Sequence, residues 1–600
     1  MKKTLLIFIL IAFIILSSCK KKEAEEDSIV LEPCTSCMAD TQYDEIQAIH
    51  ILIPYSETKG NLANFINLNK PHDEHPLFFL ESIIRTHQVI LSFDAIYPID
   101  TILWTSYLGE RAETITSVSV DYSINGLSFS RVHQDFELNT EINTIPMGGS
   151  MAKSIRFTFQ ADDKTTHGIQ DVRFVLGEGF IVKEDTDWSN TFLRYQGWTG
   201  ADGIFSFNLT NGDDQIGAAV SHTGFIFSDT FVGSVSPNNN LRGTSRIINN
   251  SLGYLDHQKD FSEAFAFEYA LLGGVAESIA LPGVYLGKRA RHLLDGDGLS
   301  ISQSKDALLT HDSDGTMWLA EDENPELIID FGYVESPSKL YLWNYNDDID
   351  YGIQAFTLFH SHDGSNWTQI GNHSIPKASG SNNEPYTLEV LFDAVETRYL
   401  RLLVTDGYSE DYVGLGKMMV FNAEDQFLFG QITTTSEMMT PTPHELTSRL
   451  WLQDGIVIGD NLYVFPILIK DEADFFKVHN VGMMKMPIEN HKIMYTDTTY
   501  FSSPLQVKTP DGGTIFMGAG VMNNIENDGY IYIYGYKDLA GRFLVVGRCL
   551  PEDIEHFNRW TYYDGETWTR DINQVAPRKE AVSAELSCGD RFFSWCDLVD

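Results

Sequence analysis

An eight-residue turn occurs twice in this chain, and no other feature constrains the fold as strongly. Residues 122–129 read Tyr-Ser-Ile-Asn-Gly-Leu-Ser-Phe, and residues 360–367 read His-Ser-His-Asp-Gly-Ser-Asn-Trp. A strand-like run precedes each copy, at residues 115–120 and 356–359. Asn-Gly or Asp-Gly after such a run predicts a β-hairpin, because these residues tolerate the positive φ of a tight turn. A Ser before the turn and an aromatic residue after it, found twice, indicate one folded module used twice.

The chain has 600 residues, so it is too long for one hydrophobic core and should contain three or four domains. Aromatic residues make up 12% of it, with 26 Tyr and 46 Gly, and long amphipathic helical patterns are scarce. This composition predicts an all-β fold. The formal net charge of −42 argues against nucleic acid as a partner, because phosphates would be repelled. The same charge fits solubility outside the cell.

The N-terminus has the pattern of an export signal. Two lysines precede an apolar run over residues 5–16, which is too short to span a membrane comfortably. Residues 16–19, Leu-Ser-Ser-Cys, resemble a bacterial lipobox, which implies a lipoprotein signal peptide over residues 1–19 with Cys19 as the lipidated residue. An ordinary signal peptide or a helical anchor is the alternative. Residues 20–44 then form a tether, similar to the surface-export tethers of Bacteroidota-type lipoproteins.

The remaining cysteines do not indicate a metal or redox centre. A Cys-x-x-Cys pair lies near the tether, but no second pair follows, so a local disulfide or free thiols are favoured over a zinc or redox site. The five cysteines other than Cys19 are Cys34, Cys37, Cys549, Cys588 and Cys596.

Two segments show the same order of strand-like runs. Residues 45–178 contain several short runs with frequent turns, including 89–94 and 99–104, which is typical of a β-sandwich. Residues 290–422 repeat that order around the second copy of the turn.

The second segment resembles the discoidin family, also called coagulation-factor type C domains, and the first resembles it less closely. The resemblance implies two jelly-roll sandwiches that bind galactose-like or amino sugars through variable loops. It also implies that Trp318, Trp343 and Trp367 are core or rim residues. The motifs that carry the resemblance are Asp312, Asp314-Gly315, Thr316 and Trp318; Asp330-Phe331-Gly332; Ser361-x-Asp363-Gly364-x-x-Trp367; and Arg398-Tyr399-Leu400-Arg401.

Many bacterial members of that family hold a structural calcium ion at the Asp-Gly…Thr segment, closed by a Glu near the C-terminal strand. The resemblance therefore implies metal ligands at Asp312, Asp314 and Thr316. Lys417 stands near the closing position, where its positive charge would repel calcium. The sequence leaves both outcomes open.

Residues 188–285 and 423–600 carry paired apolar runs at the spacing of β-propeller blades. We predict two jelly-roll sandwiches and one propeller, with the second sandwich inserted after the first blade. The sequence ends soon after the first strands of a fourth blade, so we expect a fragment or an unusual closure. Four segments resemble uncharacterised propeller domains of exported Bacteroidota-type lipoproteins, which are distantly similar to five-bladed glycoside hydrolases. These are residues 198–203, 228–231, 249–251 and 532–535.

Acidic residues at equivalent places on innermost strands would converge on the channel of a propeller. Asp202, Asp454 and Glu585 meet this condition, and Asp229 is a reserve candidate. Glycoside hydrolysis needs one carboxylate as base or nucleophile and one carboxylic acid that protonates the leaving oxygen. In a hydrolase, Asp202 would be the base, Glu585 the acid and Asp454 the residue that tunes the acid. The alternative for Asp202 and Asp454 is turn chemistry, in which the carboxylate bonds backbone N–H groups.

The sequence therefore predicts an exported lipoprotein that binds extracellular glycan, with the discoidin-like modules as binding units. One hypothesis adds glycoside hydrolysis in the propeller. The alternative is a non-catalytic glycan-binding or adhesion protein with the propeller as scaffold. The expected location is the cell envelope, at the surface of the outer membrane, with membrane contact through the lipid anchor alone. Structural calcium is the one cofactor considered.

Overall fold

The computed structural model of the chain describes residues 45–46, 50–54, 58–59, 76–80, 85–160, 165–183, 185–213, 218–310, 316–441, 445–472 and 475–577. They form two compact units, one within Lys21–Ser189 and one that begins at Asn190. The predictions for the signal peptide, Cys19 and the tether lie outside the described residues. Among the helices that the structure describes, none combines the length and apolar character needed to cross a bilayer.

The strands of the first unit form one connected ten-stranded sheet, and two long strands run through its centre. Thr86–Ser106 and Ile142–Gln160 pair along most of their length, with a register shift between Ser92 and Tyr97. The prediction of separate strands at 89–94 and 99–104 is wrong, because one strand runs through both ranges and the irregularity between them shifts its register without ending it. The other strands are Glu45–Ile46, His50–Leu52, Thr58–Lys59, Leu77–Phe79, Glu113–Thr114, Ser117–Ser123, Ser130–Glu137 and His167–Leu176.

A second sandwich lies within residues 290–434 and has two separate sheets. The four-stranded sheet has the order Trp318–Ala320, Val413–Asn422, Pro337–Asn344 and Leu388–Leu391. The five-stranded sheet has the order Thr368–Ser374, Ile353–Ser361, Thr397–Gly407, Glu326–Glu335 and Gln431–Thr434.

The two sandwiches share one strand order. In the first unit, Ser130–Glu137, Ser117–Ser123, Ile142–Gln160 and Thr86–Ser106 follow each other as the first four strands of the five-stranded sheet do. The C-terminal part of Thr86–Ser106 pairs with the N-terminal part of Ile142–Gln160 on one side and with His167–Leu176 on the other. This order corresponds to that of Leu388–Leu391, Pro337–Asn344 and Val413–Asn422 in the four-stranded sheet. The prediction that one module is used twice is confirmed.

The repeated turn closes the same hairpin in both copies. The hydroxyl of the leading Ser accepts a hydrogen bond from Gly126 N at 2.9 Å and, in the second copy, from Gly364 N at 3.0 Å. The side chains of Asn125 and Asp363 each accept bonds from the amides of two residues beyond the turn glycine. Both glycines have positive φ, 76° and 71°. The side chains of the motif therefore fold the turn on themselves.

The tryptophans of the second motif set belong to the interior of the sandwich. Trp318 and Trp343 have no exposed surface, and Trp367 lies half-buried at the rim beneath the guanidinium of Arg401, 4.5 Å from its ring centre. The expectation that they are core or rim residues is confirmed.

Residues 196–268 form the first of three antiparallel, blade-like sheets. Three long extended segments, 196–208, 222–235 and 242–256, are each interrupted once, and the interruptions lie side by side. The sheet is therefore divided into two parts by a line of irregular residues: Asp202, Ser228-Asp229 and Asn249-Asn250. We call this line the kink. The strands are Gln196–Ala201, Phe205–Asn208, His222–Phe227, Thr230–Val235, Arg242–Ile248, Ser251–Asp256 and Phe265–Glu268, followed by the hairpin Ala270–Leu272 and Val275–Glu277.

Two further blade-like sheets follow the second sandwich, which is therefore inserted after the first blade. The second blade contains Arg449–Ile458, Asn461–Glu472, Phe475–Val481, Met483–Glu489, Lys492–Ile493 and Thr499–Phe501. The third contains Gln506–Lys508, Thr514–Asn524, Tyr530–Asp538, Arg542–Cys549, Thr561–Tyr563 and Trp568–Thr569. The arrangement is propeller-like. The predicted fourth blade lies outside the described residues.

Helices are few and short in the described chain. The α-helices are Thr186–Phe192, Phe261–Ala264 and Ile525–Asp528. The 3-10 helices are Pro282–Tyr285, Ala290–Leu293, Ile349–Tyr351, Glu445–Thr447, Tyr495–Asp497, Pro551–Asp553, Phe557–Arg559 and Ile572–Gln574.

The second sandwich and the last two blades share one continuous hydrophobic core. Polar contacts reinforce it: Ser302 N donates to Lys508 O at 2.9 Å, and Phe429 N donates to Asn558 Oδ1 at 2.8 Å. The inserted sandwich is therefore part of a single packed body with the blades, and its isolation would expose apolar surface.

Candidate functional site

The kink brings two of the predicted carboxylates together. Asp202 N donates to Asp229 O at 2.8 Å, and Ser228 N donates to Asp202 O at 2.8 Å, so the two aspartates lie side by side on adjacent strands. The bend at this level interrupts the regular ladder, since Gly203 adopts a φ of 56°. A residue with a side chain is strained in that conformation, which explains the Asp-Gly pair.

Both carboxyl groups have raised pKa values. Burial raises the pKa of Asp202, and the backbone N–H of Gly203 offsets part of the rise. Burial also raises the pKa of Asp229, to which the negative charge of Asp202 adds, while the Trp451 indole and Arg449 act in the opposite direction. Two close carboxyls that resist ionisation are suited to hold and transfer a proton.

The second blade supplies aromatic and cationic neighbours. Trp451 Nε1 donates to Asp229 Oδ1 at 2.9 Å. The Trp451 ring meets Phe476 edge-on, with centres 5.5 Å apart, and Arg449 lies 4.9 Å above the Phe476 ring. Phe476 is 48% exposed. A carboxyl pair beside a half-exposed aromatic group is a combination that can bind a sugar, because its rings offer apolar faces and its carboxyls accept hydroxyl hydrogens.

Other polar residues of the kink hold the first blade against the second. Asn250 is fully buried; its Nδ2 donates to Ala280 O at 2.9 Å and to Leu450 O at 2.8 Å, and its Oδ1 accepts from Ala280 N at 2.8 Å. Ser228 Oγ donates to Leu452 O at 2.8 Å. These contacts fix strand Arg449–Ile458, and with it Trp451, beside the carboxyl pair.

Asp454 lies on that same strand with its carboxylate bound to backbone amides. Gly455 N donates to Oδ1 at 2.7 Å, and Val521 N donates to Oδ2 at 2.9 Å, which ties the second blade to the third. The bond from Gly455 N is the turn chemistry given above as the alternative for Asp454, whereas the bond from Val521 N joins two blades. Glu585 lies outside the described residues, so the predicted convergence of Asp202, Asp454 and Glu585 stays a prediction.

The predicted metal ligands are described only in part. Asp312 and Asp314 lie outside the described residues, whereas Thr316 is buried and its Oγ1 has no hydrogen-bond partner among the residues that the structure describes. Within the described residues, no group of three or more His, Cys, Asp or Glu side chains is arranged to hold a metal ion. Lys417 is fully buried, and its Nζ lies 2.8 Å from Asp295 Oδ1.

Sequence reasoning missed Trp451 and Asp295. Trp451 follows a strand start with no motif around it, so only the fold shows that it meets Asp229. Asp295 belongs to an Asp-Gly-Asp-Gly run at residues 295–298, a signal that could have been set beside the Asp-Gly pair at 314–315. Gly298 lies next to Thr316, since a Cβ at Gly298 would stand 3.0 Å from Thr316 Oγ1.

The strand order, the repeated turn and the buried tryptophans agree with a comparison against known families. Residues 298–416 match the F5/8 type C domain. Residues 419–589 match a domain of unknown function, DUF5005. The F5/8 type C match covers most of the inserted sandwich, and the DUF5005 match covers the second and third blades. A search of curated proteins finds no match.

Solved structures resemble the chain at low identity. A candidate hydrolase from Bacteroides ovatus ATCC 8483 is 12% identical over 66% of this chain, with a TM-score of 0.28, and the chain spans 60% of its length. The family 32 CBM of Clostridium perfringens NanJ, in complex with galactose, is 14% identical over 21% of this chain and 97% of its own, with a TM-score of 0.19. The CBM32-1 and CBM32-2 domains of C. perfringens ZmpB, in complex with GalNAc, are 10% identical over 63% and 91%, with a TM-score of 0.19.

Proposed function

We propose that the protein is an exported, lipid-anchored protein of the cell surface that binds extracellular glycan through its F5/8 type C domain. The observation that carries the proposal is the match over residues 298–416 on a sandwich with the described strand order. Cys19 is the proposed site of lipidation.

Tyrosines at the loop rim of the sandwich support glycan as the ligand. Tyr351 and Tyr412 are half-buried, with ring centres 4.8 Å apart, and Tyr408 lies under Lys377 Nζ at 4.9 Å. Tyrosine presents an apolar ring and a hydroxyl together, which suits the apolar face and hydroxyl groups of a sugar.

A glycan array tests this function with the whole chain from residue 20 onward, because the sandwich shares its core with the blades. We expect binding to glycans with terminal galactose or amino sugars, and reduced binding for Tyr412→Ala. Tyr563→Ala, which alters a half-exposed tyrosine of the third blade, serves as the matched control. An array without bound sugar would remove the glycan function and leave adhesion to protein.

A second function, glycoside hydrolysis, is favoured by one observation: the adjacent Asp202 and Asp229 with raised pKa values beside Trp451. In this proposal the two aspartates share the acid and base roles, and Trp451 orients Asp229. The assay is release of reducing ends from a glycan that the array identifies.

Asp202→Asn and Asp229→Asn should each lower the rate by about 100-fold or more, because general acid–base catalysis contributes that much. The exposed Asp460→Asn should leave it unchanged. No release by the wild-type chain would assign the propeller a scaffold role.

A further inference from the structure

Lys417 is a fully buried lysine in strand Val413–Asn422 of the inserted sandwich. Its Nζ donates to Asp295 Oδ1 at 2.8 Å and to the backbone oxygen of His292. An ammonium group is strongly hydrated in water, so its burial is costly unless charged and polar partners replace that hydration. The Asp295 carboxylate and the His292 carbonyl oxygen therefore replace water as the partners of the buried ammonium group.

Asp295 is the matching anion, with a side chain only 2% exposed. His292 Nδ1 lies 2.9 Å from its second oxygen, and Asn480 Nδ2 donates to that oxygen at 3.3 Å. Burial raises the pKa of this carboxyl, but the Lys417 charge and the contact with His292 lower it further, so it stays below its usual range. The carboxylate is ionised and both of its oxygens are occupied.

The discoidin resemblance implies a calcium ion bound in this neighbourhood, and the described residues do not fit one. Calcium prefers carboxylate and backbone carbonyl oxygens. Here Asp295 and the His292 carbonyl supply such oxygens, but they surround an ammonium group. The run 295–298 also stands beside Thr316, the described member of the predicted ligand set. A divalent cation next to Lys417 Nζ would be repelled.

We propose that Lys417 is a built-in cation, which supplies the positive charge that Asp295 requires and makes the inserted sandwich independent of bound divalent metal. The same anion joins the sandwich to the second blade through Asn480, and Asp297 lies 3.9 Å from His479 of that blade. The ion pair thus also fixes the sandwich on the blades.

The first test compares the response to calcium of the wild-type chain and of Asp295→Asn. Each is expressed from residue 20 onward, and its melting temperature is measured by calorimetry in EDTA and in excess calcium. We expect calcium to leave the melting temperature of both proteins unchanged. A calcium-induced rise in the melting temperature of the wild type overturns the proposal, and its absence from Asp295→Asn would place the bound calcium at Asp295.

The second test removes the cation. Breaking a buried ion pair leaves an unpaired charge, so Lys417→Met should lower the melting temperature by about 5 °C. Lys339→Met is the matched control, because Lys339 pairs with the exposed Asp425 on the same sheet, and it should change the temperature by about 1 °C or less.

If Lys417→Met does not fold, the double variant with Asp295→Asn should recover most of the loss, because it removes both charges. A Lys417→Met protein as stable as Lys339→Met, or a double variant no better than Lys417→Met, would overturn the role of the pair.

Discussion

Replacement of Asn250 by alanine should destabilise the unit that begins at Asn190 more than any exposed asparagine replacement does. The Asn250 side chain makes three hydrogen bonds with the backbone of Ala280 and Leu450, at 2.8 to 2.9 Å, and has no exposed surface. Alanine removes all three bonds and leaves the buried N–H of Ala280 without its partner. Each lost bond costs about 1 kcal/mol, and the unpaired N–H adds about 1 kcal/mol or more, so the free energy of unfolding should fall by about 4 kcal/mol.

This loss converts to a shift that calorimetry can measure. The described part of the unit spans residues 190–577, which is about 390 positions. With an unfolding entropy of about 2 cal/mol/K per residue, 4 kcal/mol corresponds to a decrease of about 5 °C in the melting temperature. Asn527→Ala is the matched control, because Asn527 is exposed and bonds only Asn524, at 2.8 Å, in a short helix. Equal melting temperatures for the two variants would refute the argument that Asn250 holds the first blade to the second.

Three further predictions follow from single sites. Burial raises the pKa of Asp229, so the folded protein favours the protonated carboxyl and ionisation of that carboxyl destabilises the fold. The contribution of this carboxyl to the free energy of unfolding is therefore present in acid and is lost as pH rises through its folded pKa. Asp229→Asn should therefore melt at a higher temperature than the wild type at pH 7 and lose this advantage at pH 4, and an unchanged temperature at pH 7 would contradict the sign. Gly364→Ala should cost about 1 kcal/mol in urea unfolding, because φ is 71° and the new Cβ would meet Tyr399 only at 3.5 Å, whereas Gly364→Asn should recover part of it. Cys549 is buried and its thiol pKa is raised by that burial, so peptide mapping should find it unalkylated by iodoacetamide until the chain unfolds; native-state labelling would refute its burial.

Local patterns predicted the hairpins well. The repeated turn is made by its own side chains, so residues 122–129 and 360–367 contain nearly all the information that folds them. The turn at Asp564 is built in the same way: its carboxylate accepts the amides of Glu566 and Thr567 at 2.8 and 2.6 Å.

Features that depend on a distant partner could not be predicted. The continuity of Thr86–Ser106 is decided by its pairing with Ile142–Gln160 and not by its own residues. Lys417 was recognised as opposed to calcium, but its partner Asp295 is 122 positions away in the sequence. For the same reason Asp229 was ranked below Asp454.

The inserted sandwich has a consequence for how the chain folds during synthesis. The first blade contacts strand Arg449–Ile458 through Asn250 across 200 residues, so it must wait for the whole insertion to be made. The ends of the insertion meet, however: Lys288 pairs with Met438, and Arg289 Nη1 binds Glu437 at 3.0 Å. Folding of the insertion brings these ends together and so turns a long flexible loop into a short connection. Because loop-closure entropy grows with the logarithm of loop length, the later docking of the blades is then nearly as easy as if no domain stood between them.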